Sequence, residues 1–96
     1  MIERDLRLSA LRAFLGRIHR EIRLIKLKAV DKKIVVTIIV DSQPSERLSE
    51  AIGEATTEII ADFSDMNHIT EVIEVSKNKI AREDIFKEGW VYERAE

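Results

Sequence analysis

No cysteine occurs among the 96 residues, which excludes a disulfide, a thiol nucleophile and a cysteine-ligated zinc site. The three glycines, Gly16, Gly53 and Gly89, stand far apart, so no glycine-rich loop can wrap a phosphate. A nucleophile elbow and a zinc-protease signature are also missing. Phe, Trp and Tyr make up 5% of the chain, too few and too scattered for a base-stacking platform. No apolar run approaches the roughly 18 residues that a membrane-crossing helix needs. The opening stretch MIERDLRLSALRAFLGRIHR is charged throughout and lacks the hydrophobic region of a secretion signal. These absences lead to the expectation of one domain over residues 1–96, located in the cytoplasm, with no metal, cofactor, membrane or nucleic-acid partner and no catalytic residues.

A further scarcity is local. Residues 34–76 contain one base, Arg47, against nine acids, a net of −8. Residues 1–33 hold ten bases against four acids, a net of +6, and residues 77–96 balance at five and five. The overall charge of −2 hides this polarity, which bears on partners rather than on fold. The basic third has no interleaved exposed aromatics, and a dedicated nucleic-acid binder is usually basic overall.

Hydrophobic periodicity predicts a helix over 4–20, with Leu11, Phe14, Leu15 and Ile18 on its buried face. IRLIKLKAV, residues 22–30, alternates as a strand, with Ile25, Leu27 and Ala29 inward and Lys26 and Lys28 outward. DKK, residues 31–33, is a short turn. IVVTIIV, residues 34–40, is apolar on both faces, as in a central strand. DSQPS, residues 41–45, opens a second helix that runs to about Phe63, since its serines can cap free amides and Pro44 suits a first turn. Leu48, Ile52, Ala55, Ile59 and Phe63 form its core stripe. Beside them Ser49, Gly53 and Thr56 make a small-residue face that invites the first helix to approach. Residues 69–76 and 89–96 read as strands, joined by a charged connection over 77–88. The predicted fold is α+β: a two-layer sandwich in α-β-β-α-β-β order, with two hairpins and both helices on one face of a four-stranded, mostly antiparallel sheet.

The second helix carries an acid at every fourth position: Glu46, Glu50, Glu54, Glu58 and Asp62. Successive members drift about 40° around the helix and form a broad band away from the core stripe. Like charges at this spacing each cost a few tenths of a kcal/mol, and only the first two recover some of that near the positive helix N-terminus. The band reads either as a solvated face, neutralised in part by the basic N-terminal third, or as a docking surface for a basic partner. A metal or hydrolase site built from Asp62, Asp65 and His68 is the weakest reading, because the last of these falls in a turn. Val35, Ile39, Trp90 and Tyr92 raise another possibility. Two helices cover one side of a sheet, so these residues could face a second copy of the chain, making a homodimer.

The stretch LRAFLGRIHREIRLIKL with its following hairpin, IIVDSQPSERLSEAIGEATTEIIADFSD, and the closing VYERAE together resemble small bacterial immunity proteins of contact-dependent growth inhibition, the CdiI type. The resemblance covers most of the chain. It is carried by Leu15-Gly16, Asp41, Glu58 with IIADF at 59–63, Val91-Tyr92, Arg94 and Glu96, which mark a scaffold rather than a catalytic signature. The long charged stretch 77–88 departs from the pattern. The resemblance implies a toxin inhibitor: a protein that binds a cognate toxin domain, commonly a nuclease with a basic surface, and blocks its active site or substrate groove. Glu46, Glu50, Glu54, Glu58 and Asp62 would then be the partner-binding residues.

Overall fold

A computed structural model describes residues 2–63, 66, 68–77 and 90–94. The elements are α1 (Ile2–Ala13), β1 (Ile22–Val30), β2 (Lys33–Val40), α2 (Glu46–Ala61), β3 (His68–Val75) and β4 (Trp90–Glu93). The predicted α+β order is therefore present, with both helices against one side of a four-stranded sheet.

β1 and β2 form the expected hairpin, with Ile25 opposite Ile38, Leu27 opposite Val36 and Ala29 opposite Ile34. Its two-residue connection places Asp31 at φ 56°, a left-handed conformation that aspartate tolerates better than most side chains. The second expected hairpin is not formed. The strand order is β3-β2-β1-β4, so the last two strands occupy opposite edges. β3 runs parallel to β2, and α2 is the crossover that a parallel pair requires. β4 pairs antiparallel with β1.

Alternation places Ile34, Val36, Ile38 and Val40 of β2 wholly inside, against Leu48, Ile52, Ala55 and Ile59 of α2 and Phe14 beyond α1. On the opposite face Val35, Thr37 and Ile39 are half-buried, and Lys28 is exposed. Trp90 pairs with Lys26 and Tyr92 with Ile25 across a register shift. Tyr92 packs against the helix-side core, so it does not join Val35 and Ile39 on the open face as alternation alone had implied.

α2 is capped by Ser45, whose hydroxyl accepts from the Leu48 amide at 3.1 Å. Its predicted stripe is buried, with Phe63 packed at its end. The small-residue face works differently from expectation. Thr56 lies within hydrogen-bond distance of the Glu71 carboxylate at 2.9 Å and the Gly53 carbonyl at 3.1 Å, so it ties α2 to β3. Ser49 is exposed, and a side chain at Gly53 would meet nothing within 4 Å.

α1 departs most from its sequence reading. It ends at Ala13, followed by Gly16 at φ 80°, a left-handed residue that stops a helix. Its buried side is Leu6, Ser9, Ala10 and Ala13, with Phe14 just beyond. Leu11, Leu15 and Ile18, predicted to face the core, are exposed. Small residues win the inward position because they let the helix backbone approach its neighbours closely. Ser9 also gains a partner there, donating to Asp62 at 2.5 Å.

Polar contacts close one end of the sheet. Arg23, at the register shift in β1, is buried and donates to the Ser76 carbonyl at 2.8 Å. Arg94 donates to Asp41 Oδ2 at 2.8 Å and to the Arg20 carbonyl at 2.7 Å. The bond from Arg94 holds the Asp41 carboxyl below its usual pKa.

Candidate functional site

The acidic band lies along the solvent side of α2, beside α1. Cross-links fix how the two run. Arg17 donates to Glu58 at 2.8 Å and approaches Glu54 at 3.4 Å. Ser9 bonds Asp62, and Arg12 stands 3.7 Å from the same carboxylate. Residues 9 and 12 thus meet residue 62, and residue 17 meets residues 58 and 54, so α1 and its following turn run antiparallel to α2. Arg17 also donates to the Ala13 carbonyl at 2.6 Å, which anchors its side chain over the end of α1. Its pKa is raised, chiefly by the hydrogen bond that it donates to Glu58, with desolvation acting the other way.

The five acids therefore divide. Glu54, Glu58 and Asp62 are matched by cations of the basic N-terminal third. Glu46 and Glu50, in the first half of α2, are exposed and have no ion pair among the described residues. The all-or-none choice between a solvated band and a docking band is too simple: three of the five acids are neutralised within the fold and two are open charge.

On the other side of the arginines lies an apolar row. Leu8, Leu11, Leu15 and Ile18 are 50%, 45%, 80% and 38% exposed. Leu8, Leu11 and Leu15 line, with Arg12, a shallow depression of about 320 Å³. Spacing picks out Leu11, Leu15 and Ile18 together with the buried Phe14 and reads all four as core, and it does not pick out Leu8. Nothing in the spacing pairs Arg17 with Glu58.

The proposed Asp62, Asp65 and His68 cluster does not gain support. Asp62 is engaged by Ser9 and Arg12, and His68 begins β3 in an exposed position opposite Lys33. Asp65 lies outside the described residues, as do positions 78–88 of the charged connection. Among the described residues no group of three or more His, Cys, Asp or Glu is placed to hold a metal ion, and no helix is long and apolar enough to cross a membrane.

Several residues that carried the resemblance have visible structural work. Gly16 supplies the left-handed turn, Asp41 and Arg94 tie two strand ends together, and Glu58 holds Arg17. A comparison with known families is decisive here, because residues 3–96 match the MafI2 immunity protein family. The chain belongs to that family. No curated protein matches it. The expectation of an immunity protein is thereby met at the level of the family. MafI2 is the family shown, and the CdiI type is not specifically supported.

Proposed function

We propose that this chain neutralises a cognate toxin domain of a contact-dependent growth inhibition system by binding it and occluding its active site or substrate groove. Membership of an immunity family over residues 3–96 carries the reading. The function is binding rather than catalysis, exercised in the cytoplasm of the protected cell. Glu46, Glu50, Glu54, Glu58 and Asp62 form the partner-binding set. Carboxylates recurring about every 6 Å along a helix axis suit a cationic groove that ordinarily takes a phosphate backbone, so the target is a nuclease. Glu46 and Glu50 offer open charge, whereas Glu54, Glu58 and Asp62 must share theirs with Arg12 and Arg17. Co-expression with the toxin domain encoded beside it tests the role: cells should survive with the immunity chain and die without it. Equal killing in both cases would refute it.

A second reading draws on the open sheet face. Val30 and Val72 are 48% and 36% exposed there, beside half-buried Val35 and Ile39, which favours a homodimer across that surface. Sedimentation as a monomer at high micromolar concentration would exclude it.

A further inference from the structure

We infer that the toxin contacts a composite surface, with the apolar row Leu8, Leu11, Leu15 and Ile18 at its centre and the acids of α2 along one side. The inference rests on the immunity reading above. α1 and the turn that follows it leave four large apolar side chains exposed, and three of them, Leu8, Leu11 and Leu15, line one depression with Arg12, the kind of exposed apolar patch that marks an interaction site. The cross-links from Ser9, Arg12 and Arg17 set this row alongside α2 in antiparallel order. Leu15 and Ile18 therefore lie toward the end of α2 where Glu46 and Glu50 are open, and Leu8 toward the end where Asp62 is already paired. An apolar centre with a charged margin is the anatomy of a protein interface.

Charge selects the occupant. The apolar row is bordered by open carboxylates at Glu46 and Glu50, so the occupant that satisfies both parts brings cations beside an apolar patch. A toxin surface with an apolar patch flanked by lysine or arginine meets both rows: its apolar part covers the leucines, and its cations reach Glu46 and Glu50. Arg12 and Arg17 stand between the rows with their charges already matched, so they do not repel such a partner strongly.

The test is calorimetry of Leu11→Gln/Leu15→Gln with the toxin domain encoded beside this chain, across a salt series. Both side chains are exposed, and glutamine is a good helix former, so melting of the free variant should be unchanged. Amides left unpaired in an apolar centre should weaken binding about 100-fold while leaving the salt dependence as in the wild type, because no charge has been altered. Tight wild-type binding with a variant within about threefold would overturn the composite surface and leave the immunity role standing. Absence of wild-type binding would overturn both. A wild-type dimer that the variant disperses on sedimentation would show that a second copy covers the row, and would also overturn the inference.

Discussion

α1 and α2 lie on the same side of the same sheet, yet they turn opposite chemistries to solvent. α2 buries Leu48, Ile52, Ala55 and Ile59 and exposes glutamates. α1 buries Ser9, Ala10 and Ala13 along with Leu6, and exposes Leu8 and Leu11. Close approach of α1 to its neighbours accounts for the buried small residues, but it gives no reason for large leucines on the exposed side. The contrast separates what α2 does for the fold from what α1 leaves available to a partner. It also splits the acidic band, since the arginines of the first helix and its turn answer the later acids and leave the earlier ones open.

The largest effect should come from the buried side of α2. Ile52→Ala removes a fully buried side chain and should destabilise by about 2–5 kcal/mol, whereas Leu11→Ala on the exposed side of α1 should stay within about 0.5 kcal/mol. Urea unfolding of the two variants decides this, and equal losses would erase the distinction between the helices. Next comes the residue that ends α1. Gly16 sits at φ 80° with open space around it, so Gly16→Ala meets a backbone penalty alone and should cost about 1–2 kcal/mol.

A smaller, pH-dependent effect belongs to the strand ends. Arg94 holds the Asp41 carboxyl below its usual pKa. The pair's stabilisation is therefore complete above the ordinary carboxylate range and is lost as pH falls through the depressed value. Asp41→Asn should lower stability at neutral pH and flatten the acid limb of a stability-against-pH curve, because the contribution that acid removes from the wild type is already gone. An unaltered acid limb would show that the pair adds nothing.

Regular elements with one dominant pattern were legible. The 4-3-4-4 stripe of α2 and the alternation of β1 each admitted one solution, and the structure uses it. α1 offered two rows, one large and one small, and hydrophobicity favours the large one. The choice of the small row depends on how closely α1 approaches α2 and on the Ser9–Asp62 bond, neither of which spacing encodes. The parallel placement of β3 beside β2 was hidden for a related reason. A charged connection toward the last strand looks the same whether that strand returns beside β3 or crosses to the far edge next to β1. The acidic positions were plain, but their division was not, because it hangs on Arg17, some 40 residues away in sequence.

The most direct measurement is calorimetric titration of the toxin domain encoded beside this chain, at low and high salt, with wild type and Glu46→Lys/Glu50→Lys. That variant reverses the two open acids and leaves the Arg17 and Arg12 pairs intact. Tight wild-type binding that weakens with salt, and a variant that binds at least about tenfold more weakly with a shallower salt dependence, is the predicted result. Equal affinity and equal salt dependence in the two proteins would show that the acids of α2 are a solvated face and that the toxin docks elsewhere.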